Sequence, residues 1–415
     1  MDVSGSGFYK NTVVQAAPKS MPKSLEKVLC LNDFEQLAER MLPRPLFGFV
    51  AGAAEDNRSL KANFSAFEDF HFVPRVLVDV SHRSQKVEIF GKTYASPFGI
   101  APVGISALLA YQGDLVLAQA ASQACIPAIM SGTSLIPMEE VADRVPGTWF
   151  QAYLPGNSER IDPLIDRIAA TGFETLVLTV DIPVWANREN NVRTGFSTPL
   201  RPSLRLAWDG AIRPRWLLGT LMRTLLNRGM PHFENSFATR GAPILSRDAI
   251  RDTTGRDHLN WGDIVRIRKK WKGPLVIKGI LSAEDARLAR NIGADAIIVS
   301  NHGGRQLDGA APALRVLPHV LDATPTIPVM IDGGFRRGGD VLKAIALGAT
   351  CVFAGRPFMY AAAVGGQAGV QRAIQLLSEE VDRNMAMLGV NQLDELDESF
   401  LMPVRTNSAM KMTSC

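Results

Sequence analysis

Between Pro97 and Ala354, eight short apolar runs alternate with longer amphipathic stretches. Parallel strands need long crossover connections, usually helical, so this repetition predicts a parallel sheet and excludes a hairpin-rich one. The runs are Phe98–Pro102, Ala128–Ser131, Trp149–Tyr153, Thr175–Asp181, Leu275–Lys278, Ala296–Ser300, Pro328–Asp332 and Cys351–Ala354. Helices are expected between them, for example over Gly113–Ala124, Ser158–Ala170, Ser282–Ile292 and Gly338–Ala346, with Ser282 placed to cap the third. Eight such units predict an α/β fold, a (β/α)8 TIM barrel. An open doubly wound sheet built for a dinucleotide would want G-x-G-x-x-G after its first strand, where this chain has Pro102-Val103-Gly104-Ile105.

Residues 29–403 are expected to form one barrel domain. It lies between a flexible segment (1–28), rich in Gly, Ser, Pro and Lys, and a loose polar tail (404–415). Over Asn32–Ala54 an apolar helical pattern is interrupted by Pro43 and Pro45, which predicts two short helices serving as a lid. The connection from the fourth to the fifth strand, 182–260, is far longer than one helix and reads as an insertion over the barrel mouth.

With 45 Lys+Arg against 41 Asp+Glu the net charge is +4, too small a surplus over 415 residues to indicate nucleic-acid binding. The four cysteines, Cys30, Cys125, Cys351 and Cys415, lie far apart with no Cys-x-x-Cys pair, so neither a disulfide framework nor a metal site is expected. No apolar core of secretion-signal type and no run of about 18 apolar residues occurs, so neither export nor a membrane span is expected and a reducing, cytoplasmic setting fits.

In a barrel of this kind the site forms at the carboxyl ends of the strands. Here the runs end in Gly104, Ser131, Gln151 with Tyr153, Thr179 with Asp181, Lys278, Ser300 to Arg305, Asp332 and Arg356. A ring of polar groups that contains Lys, His, Arg and Asp is costly to assemble without a ligand. After the seventh and eighth strands come Asp332-Gly333-Gly334-Phe335-Arg336 and Gly355-Arg356-Pro357. Glycines that admit close approach, helix N-termini and arginines suit a phosphate there, whereas the plainer reading is two glycine-rich turns. After the sixth strand, His302 and Arg305 flank two glycines, so a base and an anion clamp can face one small hydroxy acid. Lys278 at a strand end reads equally as a Schiff-base lysine, and Asp181 with Arg188 as a structural ion pair.

The run Ser300 to Gly309, together with Val276-Ile277-Lys278-Gly279, Phe150-Gln151-Ala152-Tyr153, Leu178-Thr179-Val180-Asp181, Asp332-Gly333-Gly334 and Gly355-Arg356-Pro357, resembles the FMN-dependent L-2-hydroxy-acid oxidases and dehydrogenases. These include glycolate oxidase, L-lactate dehydrogenase and mandelate dehydrogenase. The likeness spans roughly Asn32 to Leu401 and keeps the same order along the chain.

The resemblance implies oxidation of an L-2-hydroxy acid to its 2-oxo acid with FMN as cofactor. His302 is then the base, oriented by Asp181. Arg188 and Arg305 hold the substrate carboxylate, and Tyr153 bonds the reacting oxygen. Lys278 lies by the flavin and stabilises negative charge on its reduced ring. Pro102, Val103, Gly104, Ser131, Gln151, Thr179, Ser300 and Asp332 complete the flavin site, with Gly333, Gly334, Arg336, Gly355 and Arg356 toward the phosphate. A homotetramer follows by analogy, and oxygen, a quinone or a cytochrome takes the electrons.

Two positions depart from glycolate oxidases. Phe49 stands where they carry a carboxylate-binding tyrosine, and Ser131-Gly132-Thr133 replaces a crowding tryptophan. The first removes a hydrogen bond to the carboxylate unless Arg188, Arg305 or another group compensates, and the second leaves room for a larger side chain, lactate-like, mandelate-like or longer. Two other readings stay open: a flavin-binding protein whose substrate site has drifted, and a class I aldolase or isomerase that uses Lys278. The insertion is basic, with eight arginines from Ile182 to Met230 against Glu189 and Asp209, and Arg213 to Arg223 mixes Trp, Leu and Arg as interfacial helices do. It reads either as a peripheral contact with the inner membrane or as a flap or subunit contact.

Overall fold

The computed structural model describes residues 22–197, 201, 203–246 and 256–404. The first 21 residues of the expected N-terminal segment, the tail from 405 and short parts of the insertion lie outside the described residues.

Eight parallel strands form one sheet, β1 (Phe98–Ile100), β2 (Ile129–Ser131), β3 (Trp149–Ala152), β4 (Leu176–Thr179), β5 (Leu275–Ile280), β6 (Ala296–Val299), β7 (Val329–Asp332) and β8 (Cys351–Ala354). Neighbours follow chain order from β2 to β8, and β8 pairs with β1. A parallel bridge between Ile100 and Ala128 closes the ring. The fold is the (β/α)8 barrel that the alternation predicts. The strands are buried on both faces, hence their continuous apolar runs.

One end of the barrel is plugged. A hairpin, Val87–Ile89 with Lys92–Tyr94, places Ile89, Phe90 and Tyr94 under the interior cluster of Trp149, Val177, Val276, Ile298 and Phe353. Trp149 Nε1 donates to the Tyr94 hydroxyl at 3.3 Å. With that end filled, only the opposite mouth is open to a ligand. Tyr153, Asp181 and Ser300 lie just past the last residues of β3, β4 and β6, where side chains turn over the mouth.

The expected helix break is present: Leu31–Met41 and Arg44–Ala51 are separated by Leu42 and Pro43. Packing begins earlier than composition suggests, because Leu25 and Val28, within the stretch read as flexible, are 2% and 1% exposed and join the core. A long helix, Arg356–Leu388, bends at Gly366 and packs against Leu31–Met41 and Gly113–Gln123. Ser282 caps Ala283–Asn291 by accepting from the amides of Glu284 and Asp285.

Candidate active site

The loop after β6 is locked from outside the barrel by a helix, Arg58–Ser65, that the strand–helix repeat does not reveal. Asn63 and Asn301 exchange two side-chain hydrogen bonds of 2.8 Å, both residues being buried. The Asp308 carboxylate accepts from the amides of Asp56 and Ser59. Gly304 has φ +76, and a Cβ on it would lie 2.5 Å from the Leu60 amide, so only glycine lets the loop and helix meet. Thus held, His302 takes φ +58, a left-handed conformation uncommon outside glycine.

The His302 ring is fixed at both nitrogens. Nδ1 lies 2.9 Å from Asp181 Oδ1, and Nε2 lies 3.5 Å from the Tyr153 hydroxyl. Asp181 reaches this position because Gly279, φ +108, leaves room: a Cβ there would be 2.7 Å from Asp181 Cβ. The strand shifts register at that point, between Lys278 and Ile280. Asp181 thus pairs with His302, whereas Arg188 donates through Nε to the Arg305 carbonyl at 3.0 Å and through Nη2 to Gln306 at 2.6 Å.

Beneath the histidine, Lys278 Nζ lies 2.8 Å from Asp332 and donates to Ser300 Oγ at 2.9 Å, with all three residues buried. Ser300 Oγ also accepts from the His302 amide at 3.0 Å, which ties the lysine to the loop above. Burial opposes the lysine's charge, but the Asp332 and Asp181 carboxylates outweigh it and hold its pKa above the ordinary value. A protonated, doubly held amine is a poor nucleophile, which disfavours the Schiff-base reading.

Burial also lowers the pKa of His302 below its ordinary value of 6.5; Asp181 offsets this in part, while Lys278 and Arg188 add to it. The neutral imidazole is therefore the form present at neutral pH, whereas burial, which would raise the Asp181 pKa, is outweighed by His302, through charge and hydrogen bond, and by the Lys278 ammonium, which together hold the carboxyl below its ordinary value. Stability follows the same sign: as pH falls below 6.5, unfolded chains take up a proton that folded His302 resists, so folding weakens. Any step in which His302 accepts a proton should rise with pH only up to an apparent pKa below 6.5 and then stay level to about pH 8. Rapid-mixing kinetics across pH check this, and a rate still climbing above pH 7 would contradict it.

Tyr153, Lys278, His302 and Asp332 face one cavity of about 620 Å³, which is also lined by Pro102, Val103, Gly104, Thr133, Arg188, Arg305, Gly333, Gly334, Arg336, Gly355 and Arg356, with Asp181 and Ser300 set behind its lining. Phe49 lines it too, under the Arg305 guanidinium, which sits 4.8 Å from the ring centroid. Phe49 thus meets Arg305 through a cation–π contact and brings no hydroxyl to the cavity. Arg305 Nη1 donates to the carbonyls of Phe49 and Gly52, and Arg356 to those of Val50, Gly52 and Gly303. Both arginines therefore cap the C-terminal end of the lid helix Arg44–Ala51, where carbonyls carry partial negative charge. Burial, then the neighbouring cations Arg188 and Arg356, push the Arg305 guanidinium well below its ordinary pKa. An anion placed between them would relieve that repulsion.

Ser131, Gln151 and Thr179 lie at strand ends below the cavity rather than in its lining. Ser131 Oγ donates to Gln151 Oε1 at 3.2 Å, while Gln151 Nε2, Thr179 Oγ1 and Asp332 Oδ1 are buried without protein partners. Orphaned donors and acceptors at these strand ends, beside Lys278, fit the polar edge of a flavin ring. Arg336 and Arg356, beside Gly333, Gly334 and Gly355, fit its phosphate. Arg256 and Asn63 have no place in the site expected from the sequence, because they sit outside the strand ends on which it was built, whereas Thr133, two residues past the end of β2, lines the cavity as the Ser131-Gly132-Thr133 departure suggests.

Residues 38–403 match the family described as FMN-dependent dehydrogenase. The chain is 36% identical over 372 residues to (S)-mandelate dehydrogenase of Pseudomonas putida, covering 89% of this chain and 93% of that protein. It is 38% identical over 386 residues to L-lactate dehydrogenase of Xanthomonas campestris pv. campestris (strain B100), covering 91% and 98%. A crystal structure described as the monotopic membrane protein (S)-mandelate dehydrogenase matches with a TM-score of 0.85 at 36% identity, over 91% of this chain and all of that one. A mandelate oxidase with (S)-2-phenylpropionate matches at 0.75 and 34%, over 91% and 99%. A match of this extent, on a fold built the same way, makes the chain a member of the FMN-dependent dehydrogenases, flavoprotein oxidoreductases of the 2-hydroxy-acid class.

Proposed function

We propose that this chain oxidises an L-2-hydroxy acid with a side chain larger than that of glycolate to the 2-oxo acid. The observation that carries the reading is His302, paired with Asp181 at 2.9 Å and facing a cavity also lined by Tyr153, Arg188 and Arg305. Arg188 and Arg305 bind the carboxylate through the N–H groups left over from their protein contacts. The Tyr153 hydroxyl bonds the substrate oxygen, and His302 Nε2 takes the hydroxyl proton. Asp181 then stabilises the imidazolium. FMN supplies the two-electron acceptor for the carbon. Lys278 places positive charge under the floor where negative charge develops.

Beyond the reacting group, Phe49, Phe196, Phe233, Phe237 and Trp185 line the cavity, which supports a bulky or extended side chain. Steady-state comparison of glycolate, L-lactate, L-mandelate and longer L-acids tests this. Glycolate is expected to have the lowest kcat/KM by about tenfold or more, and a preference for glycolate would overturn it.

We also infer peripheral membrane contact through the insertion. No described helix is long and apolar enough to cross a membrane. Yet Leu204, Trp208, Leu218 and Leu226 are 93%, 67%, 66% and 79% exposed on segments that also carry Arg205, Arg213, Arg215 and Arg223. Exposed apolar side chains beside arginines suit an anionic lipid surface, and favour a membrane quinone over oxygen or a cytochrome as electron acceptor. Replacing Leu204 and Leu226 by aspartate should weaken binding to phosphatidylglycerol vesicles about tenfold or more in sedimentation assays. Unchanged binding would contradict the assignment. Val76 and Leu77, 80% and 104% exposed, offer an apolar strip for the subunit contact of a homotetramer.

A further inference from the structure

Five arginines line the cavity, and four of them have been placed: Arg188 and Arg305 by the histidine, Arg336 and Arg356 toward the glycine turns. The fifth, Arg256, enters from a short turn at the far end of the insertion, Arg256–His258. It is only 9% exposed. Its Nε donates to the Leu154 carbonyl at 3.1 Å, and its Cζ lies 5.2 Å from the Tyr153 ring centroid. Among the described residues no carboxylate pairs with it, and its two terminal nitrogens have no hydrogen-bond partner.

A buried cation without a counter-ion is costly. A guanidinium whose plane is fixed by a carbonyl and an aromatic ring presents its remaining N–H groups in the fork that suits a carboxylate. The Tyr153 hydroxyl is 3.5 Å from His302 Nε2, so Arg256 lies across a single aromatic side chain from the proposed reaction centre. Arg188 and Arg305 already stand ready for the carboxylate next to the reacting carbon, which leaves Arg256 for a group farther along the substrate.

We propose that Arg256 binds a second anionic group at the end of the substrate side chain, so that the chain prefers short L-2-hydroxy diacids to monoacids of equal length. The inference rests on the oxidation reading above, whose substrate class it narrows.

Anaerobic rapid mixing of the FMN-loaded protein with L-malate and L-2-hydroxyglutarate, against L-2-hydroxybutyrate and L-2-hydroxyvalerate, tests it. At least one diacid is expected to reduce the flavin about tenfold or more faster, at equal low concentration, than its matched monoacid. Arg256→Gln is expected to slow the diacids about 10- to 100-fold and the monoacids by less than about threefold, with Arg256→Lys keeping part of the advantage. Equal rates for both classes in the wild type, or an equal loss for both in Arg256→Gln, would overturn the assignment. Inhibition of the wild type by glutarate against valerate gives a readout that needs no variant: glutarate is expected to bind about tenfold tighter, and equal affinity counts against the site. Failure of every hydroxy acid to reduce the flavin would be a different result, overturning the oxidation reading and this inference with it.

Discussion

Replacing His302 by asparagine is expected to slow flavin reduction by an L-2-hydroxy acid about 10²- to 10⁴-fold while leaving bound FMN in place. Nε2 is the ring atom that faces Tyr153 and the cavity, because Nδ1 is engaged by Asp181 at 2.9 Å. Asparagine fits the volume and tolerates the left-handed backbone, φ +58, better than most residues, so the fold should survive. The loss should therefore appear in the rate of reduction at saturating acid rather than in the apparent affinity, since the carboxylate clamp of Arg188 and Arg305 remains. A rate within a few-fold of wild type would remove His302 from the proposed role.

Lys278→Met is expected to destabilise the fold by about 3 to 5 kcal/mol, the cost of leaving one member of a buried ion pair without its partner. Asp332 is 7% exposed, its Oδ2 faces Nζ at 2.8 Å, and its Oδ1 already lacks a protein partner. Ser300 Oγ would lose a donor as well, loosening the support under the His302 amide. Urea unfolding of the FMN-free protein measures the effect without contribution from cofactor binding. Adding Asp332→Asn should recover a sizeable part of the loss, because the uncompensated charge is gone. Full stability in the single variant would mean that the buried charge is satisfied in some other way.

Much of this was legible in the chain. The strand–helix repeat gave eight barrel strands at nearly the observed bounds, because β-strands buried on both faces leave unbroken apolar runs. Strand-end reasoning then brought Tyr153, Asp181, Lys278, His302 and Asp332 to one mouth, since a parallel barrel gathers all its carboxyl ends on one side. Other features depend on packing between distant segments. Nothing near Asn63 announces that it clamps Asn301, as their bonds join positions 238 residues apart. Arg356 and Arg305 read as anion ligands, and the structure also sets them on the carbonyls of the lid helix, a contact with no local signature. Arg256 escaped notice because it lies in the insertion, where no periodicity links sequence position to the cavity.

The central claim is tested most directly by mixing the oxidised, FMN-loaded protein with separate enantiomers of lactate and mandelate in the absence of air. Flavin absorbance and released 2-oxo acid are then followed together. The account predicts that an L-acid bleaches the flavin and yields the 2-oxo acid in equal amount, while its D-enantiomer at the same concentration does neither. A flavin that stays oxidised with every acid, or one that bleaches without 2-oxo acid being formed, would contradict it.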